Sequence, residues 1–210
     1  MKYFPLKTLL IGSVILLYIS GCSDSTQKET KNQQKYETQN DSLTKITEAI
    51  LQKKTLRESK GWTQPLDPDT LLKYLPKTFL NYKIGKPHSV KSNINGNAIS
   101  YASVEFSQGS SIYTITLTDQ LNHLQGILGH GKMLMSRQES DTLGIVEKRL
   151  PIKPGINFGW MRFDNESKTF SATIAFEYRF LLTIEGVAVP DTIDGMKLYN
   201  NIDISHFSGL

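Results

Sequence analysis

The chain has 210 residues, 39% apolar and 21% charged, with 24 Lys and Arg against 20 Asp and Glu for a formal net charge of +4. These ordinary globular values exclude a collagen-like chain, a wholly disordered one and a multi-span membrane protein. A single cysteine excludes an internal disulfide and any metal site built from several thiolates.

The first residues have the pattern of an address. Lys2 and Lys7 form a short basic leader, and the apolar run LLIGSVILLYI follows from Leu9 to Ile19. That run is too short to span a bilayer, which takes about 20 residues. A basic start, a short apolar stretch and small residues after it describe a secretory signal peptide over residues 1–21. The small residues are Ser20 and Gly21, and the lone cysteine, Cys22, comes next. Ile19-Ser20-Gly21-Cys22 resembles the lipobox of bacterial lipoproteins. The resemblance implies cleavage between Gly21 and Cys22, a diacylglycerol on the Cys22 sulfur and an acyl group on its amine. The lipid bilayer is then one partner. Two or three acyl chains anchor a protein stably where one holds it only marginally. Ser23 stands where an inner-membrane retention signal has Asp. In a Gram-negative source this implies the outer membrane, facing the periplasm or the cell surface.

Residues 22–41 read as the acylated cysteine and a tether. From Ser23 to Asp41 there is one aromatic residue, Tyr36, and no aliphatic one, too little to order the segment. Charge is uneven beyond it. Residues 45–91 hold 10 basic and 4 acidic residues, whereas residues 92–210 hold 9 and 12. The basic stretch is either a solvated face or a surface turned toward anionic headgroups. With an envelope address and no nucleic-acid motif, no nucleic-acid partner is expected.

A single domain is expected over 42–210. Leu43, Ile46, Ile50 and Leu51 fall at helical spacing, with Ser42 or Asp41 as N-cap and Gly61 just beyond the end. Asp67-Pro68-Asp69 starts a second helix, with Leu71, Leu72 and Leu75 on its apolar face and Pro76 as its stop. Strands follow. Asn81–Val90 is extended and interrupted by Pro87. Ile99–Ser107 and Ser110–Thr118 flank a turn at Gln108-Gly109. Asp119 then has the look of an N-cap, with Leu121, Leu124 and Leu128 after it. Gly126, Gly129 and Gly131 predict that this helix either ends near Gly129 or packs too closely for side chains. One strand is expected over Leu143–Leu150. Asn157–Phe163 and Lys168–Ala175 form a hairpin, a turn falls near Phe176–Arg179, and the last strand is Phe180–Glu185. Pro190 and Asp191 open a final helix running to about Asn200.

This order predicts an α+β fold, an antiparallel sheet of about six or seven strands with helices packed on it. The PsbP/Mog1 arrangement is similar at the level of fold order. Several segments also resemble a group of bacterial envelope proteins of no established activity. They are Leu75-Pro76 with Tyr82, Ala102–Phe106, Tyr113–Asp119, Arg179-Phe180 leading to Ile184-Glu185-Gly186, and Ile202–Ser205. Relatives of that kind carry a glycine-containing turn before the Arg-Phe pair, where this chain has Glu177-Tyr178. The likeness implies fold and location and transfers no site.

No nucleophile elbow, zinc-protease motif, P-loop or dinucleotide fingerprint is present. His88, His123, His130 and His206 are the whole histidine supply. His123 and His130 on one helix would stand about 10 Å apart, too far to share one zinc. Glu105, Glu177 and Glu185 are not brought together by spacing, and Ser110, Ser111 and Ser208 have no catalytic context. No metal and no cofactor are expected. Phe158, Trp160, Phe163, Phe170, Phe176, Tyr178 and Phe180 crowd one region as core, with some open to use as a contact surface. Trp160 and Arg162 share a strand face, a combination common at interfaces, and Trp62 lies outside the strands. These three are the candidate partner contacts. The expected function is that of a lipid-anchored envelope protein with a non-catalytic binding or structural domain, serving an envelope protein partner. The alternatives are an envelope hydrolase without a recognisable motif and a carrier of an apolar ligand.

Overall fold

The computed structural model describes residues 44–208 apart from 95, 122, 143 and 152–154. The leader, Gly21 and Cys22 of the lipobox, and the tether lie outside the described residues. The chain divides into two units, Met1–Lys45 and Ile46–Leu210. Only Thr44 and Lys45 of the first are described; the second carries the sheet and its core.

Helix α1 covers 44–59. Ile46, Ile50, Lys53 and Arg57 fall on one face at helical spacing, and Ile50 and Arg57 are buried while Leu51 and Leu56 stand in solvent. Its end is a Schellman motif. Gly61 takes a φ of 74°, its N–H donates to the Glu58 carbonyl at 3.0 Å, and the Trp62 N–H donates to the Arg57 carbonyl at 2.9 Å. Glycine takes this left-handed position without a Cβ penalty. Helix α2 is Pro68–Tyr74, capped by Asp67, whose side chain accepts from the Asp69 N–H, with Pro at its first turn and Lys73 in its last. The α2 start read from the sequence holds, whereas the N-cap expected for α1, Ser42 or Asp41, lies outside the described residues.

Nine strands form one antiparallel sheet: β1 Lys83–Ile84, β2 His88–Ile94, β3 Asn97–Gln108, β4 Ser111–Asp119, β5 Ser140–Thr142, β6 Ile145–Arg149, β7 Ile156–Asp164, β8 Thr169–Phe176 and β9 Phe180–Val187. The order is β1-β3-β4-β9-β8-β7-β6-β5, with β2 also paired to β3. The expected six or seven strands become nine for two local reasons. The edge strand along β3 is broken into β1 and β2 around Pro87, which has no N–H to donate. The strand expected over Leu143–Leu150 is β6, and a short strand that was not expected, β5, precedes it and pairs with it across a turn at Gly144 with a φ of 80°. One turn also moves by a residue. Gln108 pairs with Ser111, so the β3–β4 turn is Gly109-Ser110.

Two helices complete the fold, α3 Leu124–Ser136 and α4 Ile193–Asn201, followed by a 3-10 turn at Ser205–Phe207. The expectation that α3 stops near Gly129 is corrected, because all three glycines lie inside it. Two of them follow the closer-packing alternative. A Cβ on Gly126 would lie 2.8 Å from the His123 ring, and one on Gly131 3.2 Å from the Phe158 ring. Asp119 is corrected too: it ends β4, and His123 precedes α3 without a side-chain cap.

The sheet has two unlike faces. One carries the core: Val104, Phe106, Tyr113, Ile115, Met161, Phe163, Phe170, Ile174, Phe176, Phe180 and Ile184, closed by Leu71 and Leu75 near α2 and by Leu198, Tyr199 and Phe207 from the C-terminal end. Fully burying each of these larger apolar side chains is worth roughly 1.5–3 kcal/mol. The other face is covered by α3 over β7 and β8, where Ile127, Ala175 and Trp160 are buried. Over β3, β4 and β9 it carries half-buried Thr114, Thr116, Thr118 and Thr183. Among the described residues no helix is long and apolar enough to cross a membrane.

Candidate functional site

The charged residues that the fold buries meet at one end of the sheet, where β4 ends and β8 turns into β9. Asp119 is fully buried and Arg179 is 2% exposed. Arg179 Nε and Nη2 donate to the two oxygens of Asp119 at 2.8 and 2.7 Å. The same carboxylate accepts from the Leu66 and Leu121 N–H groups, each at 2.8 Å. It therefore ties the end of β4, the β8–β9 turn and the link between α1 and α2 into one node. Two-point pairing of this kind fixes geometry as well as charge.

Arg57 comes down from α1, 1% exposed, and its Nη1 donates to the Glu177 carbonyl at 3.4 Å. Burial lowers its pKa, and the Arg179 charge lowers it further. Lys53, on the same helix face, bonds the Glu177 carboxylate at 2.8 Å. The node thus gathers three cations and two carboxylates.

The turn itself is strained. Glu177 and Tyr178 take φ values of 52° and 48°, a left-handed region that costs a non-glycine residue roughly 1–2 kcal/mol. Outside partners hold it. The Glu177 N–H donates to the Gly155 carbonyl at 3.0 Å and the Tyr178 N–H to Asn157 Oδ1 at 2.7 Å. Here two ordinary residues hold positions that glycine takes without a Cβ penalty.

Two clefts flank this turn. One, of about 420 Å³, is lined by Gly61, Trp62, Thr63, Gln64, Pro65, Leu66, Asp67 and Arg179. Its walls are set by the node, since Leu66 is held from both sides: its N–H by Asp119, its carbonyl by the Ser100 hydroxyl at 2.7 Å. Trp62 is placed by the Schellman motif and lies under the Lys60 ammonium, 4.7 Å from ring centroid to Nζ. The second cleft, of about 490 Å³, is lined by Phe176, Glu177 and the segment from Asn200 to Ser205 among others. The first joins an aromatic wall to peptide groups and a neutralised guanidinium. Its volume is that of a small binding cleft.

The three candidate contacts separate. Trp62 lines the first cleft. Trp160 is 2% exposed and is corrected from surface contact to buried side chain. The helix α3 that covers it was expected to be shorter, and the Arg137 guanidinium lies 5.9 Å above its ring. Arg162 shares its strand face, as expected, and is engaged with Glu147 at 3.5 Å and Asp164 at 3.6 Å. Among the aromatics around it, Phe163, Phe170, Phe176 and Phe180 are core.

The histidines stay apart. His130 Nδ1 meets the Gly126 carbonyl at 2.7 Å and His206 pairs with Asp203 at 3.3 Å. Among the described residues no group of three or more His, Cys, Asp or Glu could hold a metal. The sheet does bring Glu105 and Glu185 into one row, with Thr114 between them, about 10 Å apart by strand spacing. Both are exposed on the open face and neither lines the two clefts. No protein-family model, curated protein or solved structure matches this chain.

Proposed function

We propose that this chain is a lipoprotein of the cell envelope, anchored through acylated Cys22, whose α+β domain binds an envelope protein rather than transforming a substrate. The observation that carries this reading is the position of the one cysteine, directly after Ile19-Ser20-Gly21 and behind a short apolar leader. Lipidation requires a cysteine at that place and nowhere else. The tether of residues 23–41 supplies reach, and in a Gram-negative cell the anchor lies in the outer membrane. The order of elements supports a PsbP/Mog1-like arrangement at the level of fold analogy alone.

What supports binding over hydrolysis is the chemistry of the Trp62 cleft. The lining guanidinium, Arg179, is held by two bonds to the Asp119 carboxylate, which accepts two backbone N–H groups as well, and the lining carboxylate, Asp67, is engaged as the cap of α2. An aromatic ring beside backbone polar groups suits a polypeptide segment.

The test is metabolic labelling with an acyl probe, membrane fractionation, and photo-crosslinking in living cells from position 62. Cys22→Ala should abolish labelling and release the protein from membranes; persistent labelling would remove the anchor from the reading. A reproducible protein adduct at position 62 supports the binding role. An adduct with small molecules alone would turn it toward a carrier or an enzyme.

A further inference from the structure

The stretch 70–104 carries five lysines and no acidic residue. It builds α2, the loop after it and the edge strands β1 and β2. All five lysines, at 73, 77, 83, 86 and 91, are exposed. Large apolar side chains stand in solvent beside them: Leu80 is 57% exposed and Ile84 41%. Leu80 sits at the tip of a tight turn in which the Tyr82 N–H donates to the Phe79 carbonyl at 2.9 Å, and its φ is 42°. Phe79, before it, is fully packed in the core, so the turn is rigidly mounted and its leucine points away from the apolar interior. Ile193, 56% exposed, joins this corner, because Tyr82 Oη donates to Asp194, the next residue, at 3.2 Å. Of the carboxylates that reach the surface here, Asp194 is engaged by Tyr82 and Lys197, Asp191 accepts from the Ile193 N–H, Asp67 accepts from the Asp69 N–H, Asp69 accepts from Ser89, and Glu105 lies beside Gly85.

We infer that this corner docks the domain on an anionic lipid surface, with Leu80, Ile84 and Ile193 entering the headgroup region and Lys77, Lys83 and Lys86 facing lipid phosphates. Charge complementarity selects the occupant. An acid-free run of lysines around isolated apolar tips matches a negatively charged interface. Lysines along an edge strand also oppose strand-to-strand pairing with another protein. The inference rests on the membrane-anchored reading for its location only.

The experiment uses the chain from residue 22 onward with Cys22→Ala, so that neither leader nor acyl group contributes, with folding checked by near-ultraviolet circular dichroism. Flotation is measured with vesicles of phosphatidylcholine alone and with 30% phosphatidylglycerol. Binding is expected on the anionic vesicles only. Each lysine should be worth about fivefold in partitioning at low salt, so K77A/K83A/K86A should lose roughly a hundredfold. Leu80→Asn keeps the turn, because Asn tolerates positive φ, and should lose about tenfold through the missing apolar side chain. No binding to either vesicle, equal binding to both, or binding indifferent to these variants would overturn the inference. So would crosslinking of position 80 to a protein in cells. Acyl labelling of the intact chain is read separately, so loss of docking leaves the anchor standing and the reverse.

Discussion

Removing the Asp119 carboxylate should unfold the domain more readily than any other single charge deletion at the node. In Asp119→Ala the Arg179 guanidinium, 2% exposed, loses both of its 2.7–2.8 Å partners, and the Leu66 and Leu121 N–H groups lose theirs. Arg57 and Arg179 then repel each other without the Asp119 charge that offset them. Breaking one side of a buried pair costs about 3–5 kcal/mol, or on the order of 10–15 °C in Tm for a domain of this size. Arg179→Met should cost less, about 1–3 kcal/mol for the two hydrogen bonds that Asp119 loses, because Asp119 keeps two backbone donors and the field of Arg57. The double variant should be more stable than Asp119→Ala alone, since no unpaired cation remains at 179. Urea unfolding followed by tryptophan fluorescence gives all three values, with Trp62 at the cleft as a local reporter. A cost below about 1 kcal/mol for Asp119→Ala, or no recovery in the double variant, would refute the account of the node as an interlocked charge cluster.

Two glycine substitutions should move stability in opposite directions. Gly129→Ala, with nothing within 4 Å of the added Cβ, should gain up to about 1 kcal/mol from helix propensity, whereas Gly195→Ala drives its Cβ to 2.6 Å from the buried Phe170 ring and should lose about 1–3 kcal/mol in spite of the same propensity gain; thermal melts of both decide it. The Tyr113 hydroxyl is buried and makes no hydrogen bond of good geometry among the described residues, with the Gly195 backbone beside it, so Tyr113→Phe should change stability by no more than about 1 kcal/mol. Burial raises the pKa of Tyr113 and also of Tyr82 and Tyr199. A raised folded-state value means that stability is full below the unfolded tyrosine pKa, near 10, and falls as pH climbs above it. Urea midpoints across pH 8 to 11 should show that fall, and Tyr113→Phe should flatten it.

The elements were legible wherever a local device marked them. Asp67-Pro68-Asp69 starts α2 and Asp164–Ser167 turns β7 into β8, as their residue types require. The turn before Phe180 was placed from strand length alone, and its strain was not visible, because neither Glu nor Tyr advertises a left-handed backbone. The errors have a common cause in tertiary context. Asp119 reads as a helix cap because an acid after a strand and before leucines has that local form; its real partner, Arg179, lies 60 residues away. The glycines of α3 read as either a stop or a close packing, and the choice depends on His123 and Phe158, which crowd Gly126 and Gly131. Of the candidate contacts, Trp62 could be found because it stands outside any strand. Trp160 looked equivalent until α3 proved long enough to cover it.

The strand order has a consequence for how the chain finds its fold. Apart from the pairing of β4 with β9, β1 to β4 pair among themselves and β5 to β9 pair in sequence along a meander, so both halves form by short hairpin closures. The two are joined at a single seam, β4 with β9, where Ile115 meets Ile184 and Thr116 meets Thr183, about 70 residues apart along the chain and so entropically the slowest contact to close. Asp119 and the turn holding Arg179 lie at one end of that seam. The buried ion pair therefore forms only when the two halves come together in the correct register, and it acts as a latch on the last step of assembly.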